Sequence, residues 1–335
     1  MTLFTTSWDD GHPLDLRVAD LLAKHGFTGT FYVPGRLSAG GSCNPSGLPV
    51  LAGKSLRELD SAFEIGSHTL EHSDLVSVDV DEARRQVVDG KARLENELGH
   101  GVPGFCYPGG RYSPSVCAVV RDAGFSYART TDDLYGWVRP DPFRMPVSLH
   151  FYPRPRIEYA RRLVKGGAWP KRASTTFAAL RGHNLLSTLK VAVDRVCKSG
   201  GMFHLWGHSW ELEKFGGWEI LNDFLGYAAE RVPQRSRVTN SELAQRTALG
   251  PRAAGTGTAT LIALAMLGGS APMVETQRPV PSEYAPPEDW LEYQVTRRRT
   301  AQGRSSNLMT THQLRRLASF DSMSCFAHSE CSLSR

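Results

Sequence analysis

The chain has 335 residues, of which 41% are hydrophobic and 22% charged, an ordinary composition for a globular protein with a substantial core. Its net charge of +5 is modest and its basic residues are not interleaved with aromatic ones, so we expect no dedicated nucleic-acid surface. No apolar run is long enough to span a membrane, and no secretory signal precedes the first strand pattern, which together predict a cytoplasmic protein. Six cysteines without a regular framework predict free thiols.

Short apolar runs alternate with amphipathic stretches along most of the chain. This alternation is typical of an α/β domain with a mainly parallel sheet. About seven runs predict strands: Leu3–Ser7, Thr28–Val33, Phe63–Ser67, Gly104–Tyr107, Tyr127–Thr131, Met145–Phe151 and Gly201–Gly207.

Helix signals lie between these runs. Leu14–His25 carries apolar residues at helical spacing and stops at Gly26. The sequences Ser55-x-x-Glu58 and Asp79-x-x-Glu82 predict helix starts by capping, as does Ser113 followed by Pro114.

Two segments depart from the alternation. Residues 153–181 hold eight Lys or Arg against one acid, which predicts an insertion at about 152–185, either a solvated excursion or a surface that helps to hold an anionic polymer. Residues 248–335 are rich in Gly, Pro, Ser and Thr and contain no lysine. We therefore predict a main domain over 1–247 and a low-complexity, disordered tail over 248–335.

Chemically capable residues follow several of the predicted strands. Asp9 and Asp10 follow the first strand, His68 and His72 the third, and His208 the last. Because functional groups gather at the carboxyl ends of parallel strands, we expect them to meet.

The pair His68 and His72 is the centre of this constellation. If the residues after His68 form a turn of helix, both imidazoles lie on one face and can hold a metal ion; the alternative is a pair of satisfied surface histidines. With one carboxylate they make a three-ligand site with a position open for water, and a second carboxylate beside it can act as a base. The glycines at 109 and 110 allow close backbone approach, so an N–H there can meet an oxyanion.

The residues in four of these places resemble the successive motifs of the polysaccharide deacetylases, carbohydrate esterase family 4, with the NodB-homology domain. The matching segments are 7–13 (SWDDGHP), 67–72 (SHTLEH), 105–110 (FCYPGG) and 205–208 (LWGH), in the family's order within about residues 1–235. The resemblance implies a distorted (β/α)7 barrel of the NodB type and assigns residues 1–247 as its catalytic domain.

The resemblance also implies site roles. Asp10, His68 and His72 would bind a divalent metal ion, usually zinc, Asp9 would be the general base and His208 the general acid. The backbone N–H of Gly109 would help to hold the oxyanion. The implied partner is a carbohydrate substrate bearing N-acetyl groups, in a polysaccharide or glycan precursor.

Two features depart from the family's pattern. The arginine that commonly orients the base is replaced by Cys106, and Arg111 is the one compensating candidate near it in sequence. The fourth motif, an aspartate followed by tryptophan, is not clearly present, with Asp132 as the nearest candidate and Trp137 readable as a core aromatic.

Three alternatives remain open from the sequence. His204 competes with His208 for the acid role, and His12 is expected to shape the pocket. A second alternative is that the protein instead hydrolyses another C–N bond on the same scaffold, such as a small or cyclic amide or a formamido sugar on a lipid carrier. It can also be a catalytically silent carbohydrate-binding domain, although the intact metal-site residues argue against that.

Overall fold

A computed structural model describes residues 2–36, 48–137, 141–166 and 169–248. Within these ranges seven strands form one parallel sheet in the order β5-β4-β3-β2-β1-β7-β6. Their bounds are β1 Thr2–Trp8, β2 Thr30–Val33, β3 Glu64–Ser67, β4 Gly104–Cys106, β5 Tyr127–Arg129, β6 Leu149–His150 and β7 Gly201–Gly207. All seven predicted strands are confirmed.

The helices cover the outside of the sheet, as crossovers between parallel strands require. Their bounds are α1 Asp15–Lys24, α2 Gly53–Asp60, α3 Val80–Leu98, α4 Pro114–Asp122, α5 Arg156–Gly166, α6 Trp169–Arg181, α7 Leu185–Ser199, α8 Ser209–Phe215, α9 Trp218–Ala229 and α10 Asn240–Ala248. Short 3₁₀ turns lie at Pro108–Gly110, Pro142–Arg144 and Gln234–Ser236. Among the described residues, no helix is both long and apolar enough to cross a bilayer.

The sheet curls until its two edges approach each other. Met145, which precedes β6, forms an isolated parallel bridge with Arg129 at the end of β5. Its N–H donates to the carbonyl of Ala128 at 2.9 Å, and its carbonyl accepts from Thr130 N at 2.9 Å. The predicted distorted (β/α)7 barrel of the NodB type is therefore confirmed.

The interior of the barrel is packed with apolar and aromatic side chains. β1 and β7 are buried along nearly their whole length, as strands covered on both faces should be. Helix α10 adds Leu243 and Ala244 to an interior cluster that includes Tyr32, Tyr127 and Met202. The carboxyl ends of the strands are left to carry the polar residues.

Two of the predicted helix starts are confirmed by a side chain that caps the helix. Asp79 accepts a hydrogen bond from Glu82 N at 2.9 Å, and Ser113 accepts one from Val116 N at 3.2 Å. The prediction for Ser55 was wrong, because α2 begins earlier, at Gly53 after Ala52, and Ser55 lies inside its first turn.

The structure describes the first of the two segments that break the alternation, at 152–185, but almost nothing of the second, at 248–335. The segment predicted as an insertion contains α5 and α6, and it is fixed to the domain through Asp133, which pairs with Arg162 and with Arg172, each at 2.9 Å. The predicted tail, 248–335, lies outside the described residues apart from Ala248, the last residue of α10.

Candidate active site

The parallel strands bring the predicted residues to one end of the barrel. Asp9 and Asp10 follow β1, His68 follows β3, and His208 follows β7, which lies beside β1. Asp9, Asp10 and His68 are almost fully buried. Asp10 has a positive φ of 78°, a conformation that turns the chain sharply at the strand end.

The segment from His68 to His72 is a tight turn rather than the helical turn considered from the sequence. Thr69 and His72 have positive φ values of 65° and 59°, which interrupt any helix. The turn is held by its neighbours: Gly35 N donates to Thr69 O at 2.8 Å, and the side chain of Gln86 in α3 accepts from Glu71 N at 3.0 Å.

A glycine of α3 allows this turn to sit where it does. A Cβ at Gly90 would lie 2.6 Å from the carbonyl carbon of Thr69, so only glycine lets the helix approach the turn this closely. The result is the His68–His72 pair, with ring centroids 4.7 Å apart.

Three side chains form a compact group of possible metal ligands. Oδ1 of Asp10 lies 3.2 Å from Nε2 of His72 and 3.7 Å from Nε2 of His68. Ligand atoms of a tetrahedral zinc lie about 3.3 Å apart when each is about 2.0–2.1 Å from the ion. The spacing of the group therefore fits a single zinc-sized cation.

The hydrogen bonds of His68 and Asp10 leave Nε2 of His68 and Oδ1 of Asp10 available to a metal ion. Nδ1 of His68 lies 2.8 Å from the carbonyl oxygen of Cys106, which can only accept, so Nδ1 carries the proton and Nε2 presents its lone pair. Trp210 Nε1 donates to Oδ2 of Asp10 at 2.9 Å. Among the described residues, the buried Oδ1 of Asp10 has no hydrogen-bond partner.

The protonation states suit a cation. Burial favours the neutral acid at Asp10, but His208 and His72 outweigh it and hold the pKa of Asp10 well below its usual range. Burial, reinforced by His72, lowers the pKa of His68 to about 4. A carboxylate beside a neutral imidazole is the donor set that zinc binds.

Two other groups of possible ligands are less suited to a metal. In the group Asp9, His68 and Cys106, Oδ1 of Asp9 already bonds Arg129, and burial raises the pKa of the Cys106 thiol well above its ordinary value. In the group of His150, His208 and Glu211, both imidazoles already bond Oε2 of Glu211.

Asp9 pairs with an arginine instead of with the ligand group. An N–H of Arg129 donates to its Oδ1, and both side chains are almost inaccessible to solvent. The thiol of Cys106 lies 3.7 Å from its Oδ2. The idea that Arg111 compensates for Cys106 was wrong, because Arg111 pairs instead with Asp74 at 2.5 Å.

His208 belongs to a chain of hydrogen bonds. Its Nδ1 donates to Glu211 at 2.8 Å, His150 Nε2 donates to the same oxygen at 2.9 Å, and Arg154 donates to Nδ1 of His150 at 2.8 Å. Its Nε2 faces Oδ2 of Asp10 at 4.0 Å.

The two histidines that bond Glu211 differ in charge. Burial disfavours the imidazolium of His208, but Glu211 and Asp10 outweigh it and raise its pKa to about 10. Burial lowers the pKa of His150 to about 4, although Glu211 opposes the change. Glu211 therefore bonds one charged and one neutral imidazole.

The other residues that the sequence analysis considered take no part in the hydrogen bonds around His208. Asp132 accepts a hydrogen bond from Tyr112 at 2.9 Å, and Trp137 packs against the interior cluster. His204 is fully buried and bonds Ser7 at 2.9 Å. Nδ1 of His12 accepts a hydrogen bond from Leu14 N at 3.1 Å.

Gly109 lies in the 3₁₀ turn after β4 with a positive φ of 61°. A Cβ built there would meet nothing within 4 Å, so open space adjoins the backbone. Within the described residues its N–H donates to no backbone carbonyl.

Sequence reasoning missed Arg129, Glu211 and His150. Glu211 lies three residues after His208, a spacing that brings side chains together at the start of a helix and gave a usable signal. Arg129 is 120 residues from Asp9, and no local pattern links them.

Comparisons with known proteins find one family model and several solved structures that are similar to this chain. Residues 3–128 match the family model described as Polysaccharide deacetylase, and no curated protein matches the chain significantly. A family 4 acetyl xylan esterase from Clostridium thermocellum, solved with a cobalt ion, is 17% identical over 73% of this chain and 91% of its own, with a TM-score of 0.42.

Two further solved structures resemble the chain. A CE4 family pseudoenzyme from Bacillus anthracis is 16% identical over 73% of this chain and 66% of its own, with a TM-score of 0.41. A Streptococcus pyogenes deacetylase in complex with acetate is 21% identical over 42% of this chain, with a TM-score of 0.37; the chain spans 61% of its length. At such identities and TM-scores, these similarities carry no argument about the activity of this chain.

The family match covers the strands that carry Asp9, Asp10, His68, His72 and Gly109. Deacetylases of this family act on acetylated carbohydrates. The chain thus combines a match to the polysaccharide deacetylase family model over residues 3–128 with a seven-stranded parallel barrel.

Proposed function

We propose that this protein is a metal-dependent hydrolase that removes N-acetyl groups from the amino sugars of a polysaccharide or glycan precursor. One observation carries the proposal: the buried Oδ1 of Asp10 lies 3.2 and 3.7 Å from the Nε2 atoms of His72 and His68, beside a separate carboxylate. A group that only binds sugar has no need of such an arrangement.

Asp10, His68 and His72 would hold the ion, most suitably zinc. Once bound there, a divalent ion supplies polarisation of the amide carbonyl and makes a nearby water more acidic. Asp9, held by Arg129, accepts the proton of the attacking water as the general base. The N–H of Gly109, next to open space, donates a hydrogen bond to the oxyanion.

His208 is the general acid in this proposal. Its Nδ1 proton is committed to Glu211, so the Nε2 proton is the one that can move to the departing amine. Nε2 is also the atom that faces Asp10 and hence the ligand group. Glu211 orients the ring, and His150 and Arg154 orient Glu211.

The first test measures bound zinc and released acetate in the same preparations. We expect about one zinc per chain and acetate release from N-acetylated chitooligosaccharides. His72→Ala should lower the zinc affinity by a large factor, whereas His100→Ala, which removes an exposed imidazole paired with Asp60, should not. A His68→Ala, His72→Ala variant with full zinc occupancy would contradict the ligand assignment.

The second test separates the two neighbouring aspartates. Asp9→Asn keeps the size of the side chain but cannot accept a proton, so we expect activity to fall by about 10²–10⁴-fold with zinc binding nearly intact. Asp10→Asn should weaken zinc binding, and excess zinc should partly restore its activity. If excess zinc restores Asp9→Asn instead, the two roles are reversed or shared.

A further inference from the structure

Arg129 and Cys106 are direct neighbours on adjacent strands. They are register partners in the parallel pairing of β4 and β5. Register partners in adjacent parallel strands send their side chains to the same face of the sheet. Both side chains therefore reach the barrel interior at the same level, and each approaches a different oxygen of Asp9.

The guanidinium of Arg129 is enclosed by aromatic rings. Its central carbon lies 5.2 Å from the ring centre of Tyr32 and 5.0 Å from that of Trp206, within the range of cation–π contacts. The side chain is 0% exposed. Its direction toward Asp9 is thus fixed by packing as well as by the ion pair.

This arrangement is costly for a purely structural role. Among the described residues, Nε and Nη1 of Arg129 have no hydrogen-bond partner, and Asp9 is its one polar contact. A buried charge with unsatisfied N–H groups is often less stable than an apolar side chain of the same volume. The placement is understandable if the direction of Asp9 matters for function.

We propose that Arg129 is a positioning residue for Asp9, acting from β5 in the place that an arginine at position 106 would occupy from β4. The proposal rests on the proposed function, in which Asp9 is the base. One ion pair fixes Oδ1 of Asp9, while Cys106, which is smaller, leaves the room that the guanidinium fills.

Arg129→Met, which keeps the length and removes the charge, tests the proposal. We expect kcat per zinc-loaded chain to fall by about 10²-fold, as for a misplaced catalytic group, with KM changed less than threefold. Arg172→Met is the matched control, because it removes an arginine of the insertion that is also buried but is paired with Asp133 instead of Asp9. It should leave kcat within threefold of the wild type.

Exchanging the two side chains is the sharper experiment. The double variant Cys106→Arg, Arg129→Cys moves the guanidinium one strand across at the same level, so we expect at least a tenth of the wild-type kcat. This variant also decides the matter if Arg129→Met does not fold. A folded, zinc-loaded exchange variant without measurable turnover would overturn the proposal, as would an Arg129→Met variant with unchanged kcat.

Zinc affinity gives a readout that does not need turnover. Removing Arg129 leaves the charge of Asp9 uncompensated near His68, so Arg129→Met should bind zinc as tightly as the wild type or several-fold more tightly. Adding Asp9→Asn should cancel that gain. A role in folding alone would instead weaken zinc binding.

The two proposals can fail separately. If the wild-type protein binds zinc but releases no acetate, the proposed function fails, and the zinc affinities of the Arg129 and Asp9 variants still decide whether the pair is coupled. If the wild type is active and the zinc affinity of Arg129→Met drops, the proposed function stands and the positioning role is overturned.

Discussion

Glu64 illustrates at the scale of one residue what burial in this barrel does to a charge. It accepts hydrogen bonds from Tyr127 and from Ser241 N, yet burial dominates and raises its pKa above the ordinary value of 4.5. The folded protein therefore keeps a proton on Glu64 at pH values where the unfolded chain has released it.

This shift predicts a pH-dependent effect of Glu64→Gln. The stabilisation that comes from the raised pKa is fully present below pH 4.5 and is lost as the pH rises through the folded-state value. Glutamine does not titrate, so the free energy of unfolding of the variant, relative to the wild type, should rise across that window and then level off. Urea unfolding at a series of pH values measures it; a difference that stays constant with pH would contradict the expectation.

At the same scale, the sequence predicts ligands better than it predicts their supports. Asp10, His68 and His72 lie directly after strands, so the rule that strand ends converge brings them together. Arg129 lies on a strand too, but its pairing with Asp9 depends on how far the barrel curls and on the small side chain of Cys106 beside it. The spacing of residues in the sequence reveals neither the curl of the barrel nor the position of Cys106 beside Arg129.

At the scale of elements, α10 closes the barrel from the end opposite the site. The side chain of Asn240, its first residue, is fully buried: it donates to Tyr32 at 2.8 Å and accepts from Thr5 at 2.9 Å. Its backbone N–H donates to Thr30 at 3.0 Å. One residue of the helix is thus bonded to two strands.

Asn240→Ala should therefore be strongly destabilising. It leaves the buried hydroxyl of Thr5 without its partner and takes one of two partners from the hydroxyl of Tyr32, which keeps its bond to Tyr127. A buried polar group left unsatisfied costs about 1–3 kcal/mol. We expect the free energy of unfolding to fall by about 2–5 kcal/mol in urea titration. The control Gln245→Ala changes an exposed residue of the same helix and should alter it by less than about 0.5 kcal/mol.

Elements were predicted best where periodicity was strong. All seven strands were found because their buried runs are continuous, and α3 and α4 because Asp79 and Ser113 cap them. The turn from His68 to His72 was not found, because its left-handed residues are imposed by Gln86 and Gly90 of α3. Tertiary contacts, not local sequence, decide such a turn.

For the whole molecule, the contacts of α10 define where the barrel is complete. Leu243 and Ala244 belong to the interior cluster, and Ser241 N donates to Glu64 on β3. We expect a chain ending at residue 248 to fold and to keep the zinc affinity and activity of the full chain. A chain ending at residue 237, which lacks α10, should fail to fold cooperatively.

Thermal unfolding of the two truncated proteins, beside the full chain, measures the effect. If the chain ending at 248 melts far below the full chain, residues beyond α10 contribute to the domain, and the predicted boundary at 247 is wrong. If the chain ending at 237 melts like the full one, α10 is dispensable.

The left-handed backbone at Asp10 also affects how such a protein can change during evolution. Glycine adopts a φ of 78° freely, whereas aspartate is strained there by an amount of order 1–3 kcal/mol. A glycine at position 10 would remove the proposed metal ligand and release that strain, which offsets the lost hydrogen bond from Trp210. Most mutations that destroy a site also weaken the fold, but here the released strain reduces that cost. A lineage with no use for the hydrolysis could therefore lose it in one substitution and keep the barrel.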